Sequence, residues 1–139
     1  MSLAPKETEG SGVAALNAAT TILVVDDYPS LSEMAATVLR NTGYHVLTAP
    51  DGETALRLAS TQSDQKIDLL IIDCELPRMR GDDLARQLQT TQPAAEVILM
   101  SNLLPRPSRP PAYRILTKPF SSNSLLTTVR AALDHSETQ

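Results

Sequence analysis

The chain has 139 residues, 42% of them hydrophobic and 20% charged, with a formal net charge of −4. That length and balance suit one folded domain and exclude a disordered or low-complexity chain, while the acidic excess argues against a duplex-binding surface. The single cysteine, Cys74, excludes an internal disulfide and a multi-cysteine zinc site, and no apolar stretch reaches the length of a membrane span.

Residues 1–19 are small and polar, with no apolar signal-peptide core, and are expected to form a flexible tail or linker. Residues 20–139 are expected to form the domain, in the cytoplasm. Ile22-Leu23-Val24-Val25 is a continuous apolar run that ends in Asp26 and Asp27. Such a run suits a strand buried on both faces of a parallel sheet. Leu31, Met34, Ala35, Val38 and Leu39 then form one helical stripe. Ser30 and Glu33 have capping-box spacing at its start, and Gly43 suits its end. His45 to Ala49 is a second, weaker strand. Asp51 suits the cap of a helix with Ala55, Leu58 and Ala59 inward.

Leu69-Leu70-Ile71-Ile72 is a third strand, ending in Asp73. A helix from about Asp82 turns Leu84, Ala85 and Leu88 inward and stops before Pro93. Val97-Ile98-Leu99-Met100 is a fourth strand, ending in Ser101. Residues 102–112 carry Pro105, Pro107, Pro110 and Pro111. An interior proline costs a helix about 3 kcal/mol, so this stretch is expected to run extended, without a regular helix. Ile115-Leu116 lies in a short fifth strand ending at Lys118-Pro119. The last helix has Ser121 as N-cap and Leu125, Leu126, Val129, Ala132 and Leu133 on its stripe, with Phe120 and Leu125 as a hydrophobic staple.

Strand and helix alternate, which predicts an α/β, flavodoxin-like, doubly wound sheet with helices on both faces. The common order for five such strands is 2-1-3-4-5. The fourth helix is expected to be lost or shortened. Asp26, Asp27, Asp73, Ser101 and Lys118 all fall at carboxyl ends of strands, so they should converge in one cleft at the switch point. Three carboxylates that close repel one another, and a hard divalent cation such as Mg²⁺ relieves them. Lys118 adds a positive charge and Ser101 a hydroxyl donor for a phosphate oxygen. A carboxylate also serves as a nucleophile for phosphoryl transfer. Asp73, alone at its strand end, is the best candidate.

Val24-Val25-Asp26-Asp27, the D-x-x-x-P-x-M-x-G segment from Asp73 to Gly81, Ser101 and Lys118-Pro119-Phe120 together resemble the receiver domain of bacterial two-component response regulators. The resemblance covers about residues 20–135. It implies that Asp73 takes a phosphoryl group from a histidine kinase or a histidine phosphotransfer domain. It implies Mg²⁺ held by Asp27 and Asp73, with Asp26 nearby through water and Glu75 contributing its main-chain carbonyl. It also implies that Ser101 and Lys118 sense the phosphoryl group and that Lys118-Pro119 is a candidate cis bond. Such a domain catalyses only its own phosphorylation and dephosphorylation. Direct nucleic-acid binding and membrane insertion are not expected of it, and its output partner is unknown.

Three positions depart from the pattern. The proline-rich stretch replaces the usual fourth helix, Ile115 stands where the family usually has an aromatic switch residue, and Asn102 replaces a small residue beside the phosphate. The expectation is a domain that is phosphorylated normally but signals through a surface other than the usual one. Two rivals remain: a phosphorylation-independent interaction module, and a Mg²⁺-dependent phosphatase, whose D-x-D spacing Val25-Asp26-Asp27-Tyr28 lacks. A receiver piece of a hybrid histidine kinase is a third context. No glycine-rich loop follows the first strand, which disfavours a dinucleotide site.

Overall fold

A computed structural model describes residues 20–61, 66–102 and 113–138. In chain order the elements are β1 (Thr21–Val25), α1 (Pro29–Asn41), β2 (His45–Ala49), α2 (Gly52–Thr61), β3 (Leu69–Asp73), β4 (Glu75–Leu76), β5 (Met79–Arg80), α3 (Gly81–Thr91), β6 (Glu96–Ser101), β7 (Arg114–Thr117) and α4 (Ser122–Thr138). Five strands form one parallel sheet in the order β2-β1-β3-β6-β7. Counted along that sheet, this is the predicted 2-1-3-4-5 order.

Every residue of β1 and β3 is buried, as continuous apolar runs require. Their alternation divides the core in two. Ile22, Val24, Leu69, Ile71, Ile98 and Met100 pack with Leu39, Leu125 and Val129 of α1 and α4. Leu23, Val25, Leu70, Ile72, Val97 and Leu99 pack with Ala55, Leu84 and Leu88 of α2 and α3. Full burial of such a side chain contributes roughly 1.5–3 kcal/mol, so both faces need their helices.

Two predicted caps are present. The Thr54 N–H donates to Asp51 Oδ1 at 2.7 Å, and the Ser124 N–H donates to Ser121 Oγ at 3.0 Å. Gly43, at φ 110°, follows the Thr42 C-cap of α1 in the backbone region that glycine tolerates best. Phe120 and Leu125 join the same side of the core, consistent with the expected staple. The capping box at Ser30 and Glu33 is not formed. The helix starts earlier, with Tyr28 as N-cap and Pro29 in the first turn, where proline's fixed φ already suits a helix. The apolar stripe of α1 is also corrected: Leu31 and Met34 are only half-buried, and Ser32 and Ala36 are buried instead.

A short antiparallel hairpin, β4–β5, adds two strands that no apolar run signals. Pro77 and Arg78 turn it, with Arg78 at φ 65°. The described residues hold four helices. The expected tail at 1–19 lies outside the described residues, as does the expected helix-free stretch at 103–112. Among the described residues no helix is long and apolar enough to cross a membrane.

Candidate functional site

Sheet register brings the polar residues together. Val25 pairs with Ala49 and Ile72, Asp73 with Met100, and Ser101 with Thr117. Backbone bonds hold the strand ends level: Asp26 N–H to Ala49 O at 3.1 Å, Cys74 N–H to Met100 O at 2.8 Å, and Lys118 N–H to Ser101 O at 2.7 Å. Asp26, Asp73 and Ser101 are buried there, while Asp27 is exposed. The Lys118–Pro119 peptide is cis.

Lys118 Nζ lies 3.1 Å from Asp26 Oδ2 and 3.4 Å from Asp73 Oδ2, between the two carboxylates. The other oxygens have backbone donors. Asp26 Oδ1 accepts from Tyr28 N–H at 2.8 Å, and Asp73 Oδ1 accepts from Glu75 N–H at 3.1 Å. The buried Asp26 Oδ2 is held by its contact with the Lys118 ammonium. Asp26, Asp27 and Asp73 each offer an oxygen within 4.8 Å of the others. One ammonium therefore contacts two of the three clustered carboxylates. An oxygen-only, anionic set of three clustered carboxylates fits a hard divalent cation such as Mg²⁺.

Burial pushes the Asp26 carboxyl above its ordinary range; Tyr28 N–H and Lys118 pull it back in part, and Asp73 adds repulsion. Burial pulls Lys118 down, but Asp26 and Asp73 outweigh it and hold the ammonium above its ordinary value. Because the folded carboxyl of Asp26 prefers its proton more than the unfolded one does, its charge costs stability as pH rises through the ordinary carboxylate range. Without Mg²⁺ at pH 7, Asp26→Asn is thus expected to be more stable than the parent in urea unfolding. The gap should close below about pH 3.5, where both carboxyls are neutral. Added Mg²⁺ should raise the parent's midpoint more than the variant's. A variant less stable than the parent at pH 7 would reverse the account.

Above the carboxylates opens a groove of about 630 Å³. Asp27, Asp73, Glu75 and Lys118 line it, with Asn102 at its side. Tyr28, Leu31, Met34 and Phe120 give it an apolar flank, which sequence reasoning missed because Leu31 and Met34 belong to a stripe that reads as core. Tyr28 is 67% exposed, the one signal of an outward role. Asp26 is not part of the lining.

In sequence Gly81 reads only as the end of the D-x-x-x-P-x-M-x-G segment. Its N–H donates to Cys74 O at 3.0 Å, and a Cβ there would stand 2.3 Å from Asp73 O. The chain must pass this close for α3 to start directly beneath the acidic cleft. Cys74 is half-buried, and burial pushes its thiol up. Ile115, at the position expected to lack the aromatic, packs with Tyr113 on the α2–α3 side of the sheet. The Tyr113 hydroxyl donates to Gln89 Oε1 at 3.2 Å, which ties the ring to α3.

A family model described as the response regulator receiver domain matches residues 22–130. The chain is 34% identical to the probable transcriptional regulatory protein TcrX of Mycobacterium tuberculosis, over 81% of this chain and 49% of TcrX. It thus spans about half the length of that relative. Among solved structures it resembles the receiver domain of the hybrid histidine kinase CckA, with a TM-score of 0.71 and 33% identity over 81% of this chain and 98% of that one. The chemotaxis protein CheY4 of Vibrio cholerae superposes with a TM-score of 0.73 at 27% identity, over 82% of this chain and 98% of that one.

Proposed function

Because the chain belongs to the response regulator receiver-domain family, we propose that its phosphoacceptor is Asp73 and that Ser101 and Lys118 respond to the phosphoryl group once it is bound. The observation that carries the assignment to Asp73 is exposure to the groove. Of the two buried carboxylates that contact Lys118, Asp73 lines the opening and Asp26 does not.

An Asp73 oxygen attacks the phosphorus of a phosphohistidine on a kinase or phosphotransfer domain. The phosphorus–nitrogen bond breaks, an acyl phosphate forms, and the imidazole leaves with the electron pair. The Glu75 N–H on Asp73 Oδ1 orients the carboxylate for this attack. Lys118, held between Asp26 and Asp73, is placed to pair with a phosphoryl oxygen, and the Ser101 hydroxyl to donate to another. A charged hydrogen bond of this kind contributes roughly 1.5–3 kcal/mol. Asp26, Asp27, Asp73 and the Glu75 main-chain carbonyl would hold Mg²⁺, which when bound supplies positive charge against the carboxylates and the incoming phosphate. The apolar flank of Tyr28, Leu31, Met34 and Phe120 suits the approach of the donor's surface.

This is a cytoplasmic signalling role, with chemistry confined to the domain's own phosphorylation and its reversal by water. The likeness to the CckA receiver favours a second context, a domain carried by a hybrid kinase, with the same use of Asp73. The test is the intact mass after incubation with acetyl phosphate. One phosphoryl group should be gained with Mg²⁺ and none with a chelator, and reduction with borohydride should mark Asp73. No gain in a folded protein would favour a phosphorylation-independent interaction module. Steady release of phosphate from phosphomonoesters would favour a phosphatase.

A further inference from the structure

A second concavity, of about 880 Å³, lies on the other side of the Asp73–Gly81 segment. Its floor includes Cys74, Leu76 and Met79, and its rim carries Arg78, Arg80 and Arg86. Three of the twelve lysines and arginines of an acidic chain therefore surround one opening.

Two of these arginines break local rules. Arg80 is the N-cap of α3, with no side-chain cap bond. A cation is disfavoured there, because the helix N-terminus is itself positive and Asp, Asn, Ser or Thr would cap it. Arg78 stands at φ 65°, where glycine or asparagine is the usual turn residue. Arg80 is compensated in place, since its guanidinium donates twice to Asp82; Arg78 is the residue whose departure from local preference points to function. Arg80 pairs with Asp82 at 3.1 Å and Arg86 with Asp83, whereas Arg78 has no ion pair among the described residues.

We propose that this concavity docks an acidic, partly apolar peptide segment of a partner protein. Guanidinium groups match carboxylates as two-pronged donors, and the floor accepts an apolar side chain. Glu75 and Asp83 in the lining would repel a dense polyanion more than a peptide with spaced acids. A second copy of the chain docked by the same face would set arginine against arginine. Cys74, which follows Asp73 directly, and Ser101 both line the concavity, so an occupant there touches the segment that holds the proposed acceptor. The binding itself does not depend on phosphorylation of Asp73.

The probe is a short fluorescein-labelled peptide of alternating acidic and leucine residues, followed by anisotropy with the full chain. Its controls are the same peptide with amides in place of acids, a peptide of acids alone, and pyrophosphate as competitor. The acidic–leucine peptide should bind, the amide peptide should not, and added salt should weaken the complex. Arg78→Ala with Arg86→Ala should cost at least about tenfold in affinity, since each charged hydrogen bond lost is worth about a factor of ten or more. Circular dichroism and unchanged phosphoryl uptake from acetyl phosphate verify that the double variant is folded, independently of the peptide result. Absence of binding, or equal binding by the double variant, overturns the proposal. So does equal binding of the acid-only peptide, or displacement by pyrophosphate at equal concentration, because either makes the site a simple polyanion patch.

Discussion

Asp73→Asn is expected to abolish phosphoryl uptake from acetyl phosphate while leaving the fold intact. Asparagine has the same shape, so its Oδ1 still accepts the Glu75 N–H that Asp73 holds at 3.1 Å. What is lost is the anionic oxygen, and a neutral amide is a poor nucleophile at phosphorus. Lys118 keeps Asp26 as its partner at 3.1 Å, so no buried cation is stranded. One of three mutually repelling carboxylates is gone, so the urea midpoint without Mg²⁺ should hold or rise. The extra stability conferred by Mg²⁺ should shrink, because a ligand is missing. Intact-mass spectrometry and urea unfolding, each with and without Mg²⁺, read all three effects. Stoichiometric uptake by the variant would move the acceptor to Asp27 or Asp26 and overturn the assignment.

Gly81→Ala should be far more damaging than Gly52→Ala. Its Cβ would stand 2.3 Å from Asp73 O, 2.8 Å from the Cys74 Cα and 3.0 Å from the Asp73 carbonyl carbon. All three are backbone atoms, so no rotamer relieves the clash. Gly52 offers the contrast: there the nearest atom to an added Cβ, at 2.8 Å, is the Met79 sulfur on a flexible side chain. At Gly81 either the start of α3 or the end of β3 must move. Overpacking in a tight site costs typically about 1–3 kcal/mol, and a backbone clash belongs at the upper end of that range. Because the displaced atoms belong to Asp73 itself, phosphoryl uptake should slow as well as stability fall. Urea unfolding together with the acetyl phosphate time course separates the two losses. A Gly81→Ala variant with unchanged stability and uptake would show that α3 is not anchored against the acceptor strand.

Much of this architecture is legible in the chain. The runs at 22–25, 69–72 and 97–100 are continuously apolar, and only strands buried on both faces tolerate that. Asp51 and Ser121 announce helix starts because a short polar side chain can reach the next free N–H. The capping box at Ser30 and Glu33 misleads for a physical reason. Pro29 supplies the helix start by its fixed φ, and Asp26 takes the Tyr28 N–H, so the box has no work left.

The polar set was also readable, since Asp26, Asp27, Asp73, Ser101 and Lys118 each end an apolar run. So was Asp73 as the candidate acceptor, from its place alone at a strand end, whereas the relative depth of Asp26 and Asp73 was not. That Asp73 lines the groove, while Asp26 does not and is held by Lys118, depends on how neighbouring strands are staggered. The arginine-rimmed concavity was hidden for the same reason. Arg78, Arg80 and Arg86 read in sequence as ordinary surface charges, and only the β4–β5 turn and the start of α3 set them around one opening.

Sequence alone thus determined the order of strands and helices, the edge of the sheet where the polar side chains gather, and the residue types that meet there. Those properties follow from hydrophobic periodicity and strand polarity, which are local along the chain. Tertiary structure alone decided which buried carboxylate lines the groove, that Lys118 sits between Asp26 and Asp73, and how closely Gly81 must approach Asp73. Those depend on distances between segments far apart in sequence, set by sheet register and the packing of helices onto it, and no local pattern encodes them.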